Sequence, residues 1–497
     1  MSMLPRIRRT TLTLLTVALA GAVQVGATLP AQAVSDPKLV TKINTVMKDS
    51  RVQSAKSGVV VIDATSGDTL YSRYGTRAAM PASNTKILTA VSALHTLGPG
   101  YRFKTEVIRR GKLSNGTVTG RLYLKGYGDP TSRQSDYASL AQQVRRAGIT
   151  TFTGQLIADA SFFDAQRYNP GWSTSYASDY YAAEISALTV APNADLDSGT
   201  VFVNYTPAKA GQRAKITTTP AAAASYVKIV NQTTTSARGT STTIGVRRSY
   251  GSNTITVSGR IAAGRGTGSQ QITVSKPELY AAAVFRAELK KAGVTVRGST
   301  ALGTTPATSR HRVGLDTSIT LGSLLVPFMK LSNNMHAEAL TKTMGQSKGK
   351  PGNWKDGLGR TTAYLKSLGV PMQGVTLTDG SGLTRRNKVT PLAMATVLQK
   401  VRKETWFATF RASLPVAGNP NRMVGGTLRY RMTGTKAANN ARAKTGSLTG
   451  VTALSGYVNG ADGRLYVFSM LSNYSGSTPR PVENTFVVTL ANWKRPG

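Results

Sequence analysis

The sequence is that of an α+β protein, with helices and an antiparallel sheet drawn from both ends of the chain and a β-rich region inserted between them. Three features carry this reading. Apolar residues recur at three- and four-residue steps after Ser83 and again from Leu321, the spacing of helices with a buried face. Short runs rich in β-branched and aromatic residues lie near both termini, at residues 58–71 and 441–471. Between them, residues 105–308 change texture to short alternating segments dense in Thr, Ser, Val and Gly. The chain therefore divides into a leader (1–33), a first part of the α+β domain (34–105), a β-rich insertion (106–310) and a second part of the α+β domain (311–497).

In chain order, residues 38–47 read as a short helix. Gly58-Val59-Val60-Val61-Ile62-Asp63 and Thr69-Leu70-Tyr71 read as a hairpin turning at Ser66-Gly67. A helix from Ser83 carries Ile87, Leu88, Val91, Leu94 and Leu97 on one face and stops at Gly98-Pro99-Gly100. Residues 232–267 fit either hairpins or a mobile loop. Helical periodicity returns at Leu321 and runs past Leu340, and a further helix is expected over 391–401. Strands are expected over 441–447, 451–458 and 465–471, and a final helix over 487–493.

Composition narrows the function classes. Hydrophobic residues make up 40% of the 497 and charged residues 17%, enough apolar surface for two or three folded cores. With no cysteine, disulfides, thiol catalysis and thiolate metal sites are excluded, and three histidines without metal spacing argue against a zinc hydrolase. No metal or cofactor is expected. Arg6, Arg8 and Arg9, an apolar stretch over 12–25 and Ala31-Gln32-Ala33 form a secretory leader cut before Val34. The Arg8-Arg9 pair suggests the twin-arginine route, but Thr11 stands where that signal favours an aromatic residue, so general secretion is expected. A retained anchor is the alternative. Removing three arginines lowers the formal charge from +40 to +37, a field that attracts polyanions. Without a nucleic-acid-binding signature, the anionic cell wall is the expected partner, and solubility alone is the simpler explanation of the charge.

Ser83-Asn84-Thr85-Lys86 places a hydroxyl and an amine one helical turn apart on the same face. The pattern Ser-x-x-Lys also occurs at Ser35/Lys38, Ser225/Lys228 and Ser347/Lys350, so alone it is weak. Ser83 is selected because it opens a helix with a buried face, whose N-terminal N–H groups suit an oxyanion. Ser332-Asn333-Asn334 and Lys444-Thr445-Gly446 each occur once as Ser-x-Asn and Lys-Thr-Gly. On helix, loop and strand in this order, the three form a specific constellation.

Each group has a physical task. A serine hydroxyl attacks only when a base takes its proton, and a lysine near about 10.4 is too protonated to act as one. Burial and the charge of Lys444 would both favour neutral Lys86. Ser332 can pass a proton towards a leaving amine, and the Asn334 amide can hold Lys86 and substrate backbone. Lys444, expected as a partly exposed strand lysine, offers with the Thr445 and Ser447 hydroxyls a seat for a free carboxylate. Gly446 lets substrate backbone approach the strand.

With these motifs the chain resembles the class C low-molecular-mass penicillin-binding proteins, the D-alanyl-D-alanine carboxypeptidase/endopeptidase family, along nearly all of residues 34–497. Gly128-Asp129-Pro130-Thr131, Ile157-Ala158-Asp159-Ala160-Ser161 and Asp379-Gly380-Ser381-Gly382-Leu383-Thr384-Arg385 add to the likeness. So does the segment 181–188, which has Glu184 where the family more often has proline. The resemblance implies a DD-peptidase/β-lactamase-like catalytic domain, with Ser83 acylated, Lys86 as base, Ser332 and Asn334 as second element, and Lys444, Thr445 and Ser447 recognising a carboxylate. It implies an oxyanion hole from the N–H groups of Ser83 and Ser447, peptidoglycan peptides ending in D-Ala-D-Ala as substrates, and β-lactams as covalent inhibitors. The 248 residues between Ser83 and Ser332 match that family's inserted domains. The competing readings are a β-lactamase or esterase on the same scaffold, and a catalytically silent wall-binding protein.

Overall fold

The computed structural model describes residues 36–53, 56–308 and 310–495. The expected leader and its cleavage site lie outside the described residues. Among the described residues no helix is long and apolar enough to cross a membrane.

The central sheet has five strands, all antiparallel, in the order Arg442–Leu448, Val451–Asn459, Leu465–Asn473, Lys56–Asp63 and Thr69–Arg73. Its middle joins the two chain ends, with Val61 opposite Phe468 and Lys56 opposite Asn473. The unbroken run Val59-Val60-Val61-Ile62 has a simple cause: both faces of the sheet are covered. Val59 and Val61 pack with helices Pro37–Val46 and Arg480–Ala491 through Leu39, Ile43, Phe486 and Leu490. Val60 and Ile62 face the other way, onto Ile87, Val91, Phe328, Leu340 and Met394. Alternate side chains thus enter two different cores, which is why period-two alternation is masked in the sequence.

Three helices behave differently from their apolar spacing. The helix Thr85–Leu97 is buried on nearly every side, including Thr89 and Ser92, because other helices surround it. The periodicity from Leu321 is cut into two helices, Leu321–Lys330 and Asn334–Met344. At the break Ser332 takes a left-handed φ of 61°, and Asn333 caps the second helix by accepting from the His336 N–H. The final helix starts at Arg480, earlier than its apolar face suggests, because Pro481 in the first turn forfeits no helix hydrogen bond.

The β-rich region between Arg102 and Thr320 has a core of its own. Strands Arg102–Ser114 and Thr117–Gly126 form a hairpin turning at Asn115-Gly116, both at positive φ as a tight twisted turn requires. The strand His311–Thr320 pairs antiparallel with the first of these, so the seven-stranded sheet takes residues from both sides of the positions 105/106 and 310/311. Two helices, Gln134–Arg146 and Pro277–Lys291, cover it with Leu140, Val144, Tyr280, Phe285 and Leu289. Two three-stranded sheets complete the insertion, and residues 232–267 contribute strands to one of them, anchored by Val246, Ile255 and Val257.

Candidate active site

Ser83 lies in a short 3-10 segment, Ala82–Asn84, that leads directly into the buried helix. Ala82 adopts φ 46°, a conformation an alanine holds only when its surroundings impose it. The next turn places Lys86 beneath Ser83, and Lys86 is fully buried. Its ammonium nitrogen donates to Ser83 Oγ at 2.9 Å, to Asn334 Oδ1 at 2.6 Å and to the Ser381 carbonyl at 2.8 Å. Burial pulls Lys86 down to about 7, against the opposing pull of Asp379 and Glu338.

The second motif closes over it from the break between helices. Asn334 accepts from Lys86 and donates through Nδ2 to the Tyr181 carbonyl at 2.7 Å. Ser332 Oγ accepts from Lys444 Nζ at 2.8 Å. Lys444 also donates to the Thr445 carbonyl at 2.9 Å and is completely buried, so the expected partly exposed strand lysine is corrected. The cause is its place on the inner face of the edge strand, under the Ser332 turn. Burial, then the neighbouring Lys86 charge, push Lys444 well below the ordinary lysine range.

Thr445 and Ser447 lie further along the same strand, towards solvent. Thr445 donates to Thr427 Oγ1 at 2.7 Å. Gly446 sits between them against the Ser83 turn, where a Cβ would come 2.6 Å from the Pro81 carbonyl. A cleft of about 390 Å³ opens here, lined by Thr427, Thr445, Gly446, Ser447 and three arginines.

Two further groups shape this centre: Glu338, which the sequence does not single out, and Asp379, the first residue of the string 379–385. Glu338, on the helix after Ser332, accepts from the N–H groups of Gly380 and Ser381 at 2.9 and 2.8 Å and from Trp354 Nε1 at 2.7 Å. It therefore aims the Ser381 carbonyl at Lys86. Asp379 accepts from Gly382 N at 2.7 Å, Thr384 N at 2.8 Å, Asn387 Nδ2 at 2.8 Å and Trp172 Nε1 at 2.9 Å, tightening the same loop. Burial and Asp379 raise Glu338 to about 7. The string from Asp379 to Arg385 is visible in the sequence, but its use as a clamp under Lys86 is not.

The insertion reaches into the centre through consecutive residues. Asn333 Nδ2 donates to Asp197 Oδ1 at 2.9 Å, and Asn334 donates to Tyr181. His336 Nε2 bonds the Leu196 carbonyl at 2.8 Å, which makes it the protonated ring nitrogen. Ser225 and Ser347, of the other Ser-x-x-Lys strings, lie elsewhere: Ser225 ends a 3-10 turn of the insertion and Ser347 lies in a turn bridged to Lys350.

A serine bonded to a buried lysine, faced by a serine–asparagine turn and an edge strand, is an arrangement that suits a serine acyl-transfer hydrolase. Residues 39–493 match the model of the D-Ala-D-Ala carboxypeptidase 3 (S13) family. Over 460 residues the chain is 40% identical to a D-alanyl-D-alanine carboxypeptidase of Actinomadura sp. (strain R39), covering 91% of this chain and 84% of the relative. It is 27% identical to carboxypeptidase DacB of Mycolicibacterium smegmatis, covering 86% and 79%. Penicillin binding protein 4 (dacB) of Haemophilus influenzae superposes with a TM-score of 0.78 at 25% identity, covering 90% of this chain and 98% of that one. The chain belongs to the S13 family and is a serine-type D-alanyl-D-alanine carboxypeptidase of the penicillin-binding class.

Proposed function

We propose that Ser83 is the residue acylated by the penultimate D-alanine of a peptidoglycan stem peptide, with Lys86 as its base. The observation that carries this is the position of Lys86 Nζ, 2.9 Å from Ser83 Oγ and 2.6 Å from Asn334 Oδ1 in a fully buried setting. Neutral Lys86 takes the hydroxyl proton as Oγ attacks the carbonyl carbon. The oxyanion is received by the N–H groups of Ser83 and Ser447. As the C–N bond breaks, the proton held by Lys86 passes by way of the Ser332 hydroxyl to the departing D-alanine amine, which leaves Lys86 neutral again, while Lys444 holds Ser332 Oγ in place. Water then attacks the acyl-enzyme as Lys86 accepts its proton, and Lys86 returns that proton to Ser83 Oγ as the acyl–oxygen bond breaks. Thr445 and Ser447 seat the terminal carboxylate with Lys444 beneath them, while Gly446 and Asn334 flank the peptide backbone.

The same groups accommodate a β-lactam, whose strained amide and carboxylate imitate the dipeptide end, so penicillin acylates Ser83. A cross-link has the same bond with a longer leaving group, and DD-endopeptidase action follows from the same chemistry. The leader motif supports export, and the formal charge of +40 supports association with anionic wall polymers.

The test is to incubate the protein with peptidoglycan fragments and identify products by mass, then map a fluorescent penicillin adduct by peptide digestion. Loss of one D-alanine and an adduct on Ser83 are expected. No released D-alanine, or an adduct on another serine, would overturn the reading.

A further inference from the structure

The carboxylate-binding end of the cleft holds an uneven set of charges. Lys444, the lysine of the strand motif, is completely enclosed, and its nitrogen is committed to Ser332 Oγ and the Thr445 carbonyl. It does not line the cleft. Three arginines do: Arg429, Arg431 and Arg480, together with Thr427, Thr445 and Ser447. Arg431 is engaged, donating to Glu483 Oε2 at 2.9 Å and to Asn484 Oδ1 at 2.8 Å. Arg480 and Arg429 are not paired with any carboxylate among the described residues. Arg480 is exposed, and its Nη2 comes to 3.5 Å from Ser447 Oγ. Arg429 is half-buried, with its guanidinium 4.9 Å over the Tyr430 ring and a 3.4 Å contact to the Gly426 carbonyl.

We propose that Arg480, with Arg429 of the same cleft, supplies the positive charge that selects a free C-terminal carboxylate, the Thr445 and Ser447 hydroxyls fixing its orientation. A guanidinium stays charged at every working pH and presents parallel N–H groups that match the two carboxylate oxygens. Arg480 stands at the first turn of the last helix, with its side chain reaching Ser447. Lys444 then serves chiefly to hold Ser332, and burial, which disfavours its charged form, suits that task better than pairing with an anion. This inference rests on the carboxypeptidase reading and assigns its specificity to residues outside the three motifs.

The experiment compares two substrates, a peptide ending in D-Ala-D-Ala and the same peptide with a C-terminal amide, on wild type, Arg480→Gln, Arg429→Gln, the double variant and Arg480→Lys. Arg480→Gln is expected to lower kcat/KM for the free acid about tenfold, the scale of a lost charge-assisted bond, while leaving the amide nearly unchanged. The double variant should lose more, and Arg480→Lys should recover part of the preference. Circular dichroism and thermal unfolding check that the variants are folded. If the free-acid preference is the same in wild type and the folded double variant, the arginine assignment is wrong while the carboxypeptidase reading stands. If wild type cleaves neither peptide and takes up no penicillin, the underlying reading fails instead.

Discussion

The Lys86 ammonium nitrogen donates to the main-chain carbonyl of Ser381 at 2.8 Å, across 295 positions of sequence. That carbonyl, Asn334 Oδ1 and Ser83 Oγ occupy all three directions in which a protonated lysine can donate. Once Lys86 is neutral, only two N–H bonds remain, and its lone pair is free to take a proton from Ser83. In the proposed mechanism the protonation state of this one buried amine decides whether the centre is at rest or ready.

The first prediction is the pH dependence of acylation. Lys86 is lowered from 10.5 to about 7, so the neutral base accumulates above pH 7 and the rate of penicillin acylation should rise through about that pH. The stability consequence has the same sign. Between about 7 and 10.5 the unfolded chain binds the proton that the folded chain has lost, so stability rises with pH across that window. Stopped-flow acylation of wild type and Lys86→Ala measures it. A variant that keeps a comparable rate and the same rising limb would show that another group is the base.

Glu338→Gln should have two effects with different signatures. Glutamine has one acceptor oxygen where Glu338 presents two to the Gly380 and Ser381 N–H groups, so the fold should weaken by about 1–3 kcal/mol. Removing the carboxylate also removes a charge that favours protonated Lys86, so the rising limb of the acylation profile should move to lower pH. A limb that moves up would refute the electrostatic assignment even if the melting temperature falls as expected.

Gly446→Ala tests the contact between the strand and the Ser83 turn. The added methyl would lie 2.6 Å from the Pro81 carbonyl and 3.1 Å from Ala453 Cβ, so either the strand or the turn must move. A cost of about 1–3 kcal/mol is expected, with slower acylation of Ser83 and an unaltered five-stranded sheet. Wild-type acylation kinetics in this variant would mean that the two segments are not held as closely as they lie here.

Asp197→Ala tests whether the insertion positions the second motif. Asp197 accepts from Asn333 Nδ2 at 2.9 Å and from Asn193 Nδ2 at 2.8 Å, and its loop also offers the Leu196 carbonyl to His336. Its loss should loosen the Ser332 turn and reduce kcat for peptide hydrolysis several-fold, with a fall in stability of about 1–3 kcal/mol. Unchanged kcat in a folded variant would reduce the insertion to a neighbour of the site.

Much of this molecule is legible in the order of its residues. The hairpin Gly58–Tyr71 region, the stop at Gly98 and the strands near the C-terminus follow from local rules: β-branched runs, turn residues and helix breakers act within a few positions. The three motif strings are equally local. Where helical spacing was thin, as in Gln134–Arg146 with Tyr137, Leu140, Ala141 and Val144 as its buried stripe, the Thr- and Gly-rich surroundings hide it.

What the linear pattern leaves open is everything that depends on which surfaces meet. The apolar spacing after Leu321 does not reveal the break at Ser332, because the left-handed turn there is held by contacts to Asp197, Leu196 and Lys444 from distant parts of the chain. Nor does a Lys-Thr-Gly string say whether its lysine faces solvent or, as here, lies sealed beneath Ser332. Glu338 carries no local signature, and the string 379–385 does not tell that the Ser381 carbonyl meets Lys86, since a buried carboxylate and a main-chain carbonyl gain their roles only from the groups placed against them. Residue types set which bonds and charges are available. Burial and proximity, which arise only when the chain ends close one sheet around the helix of Ser83, decide which of them operate.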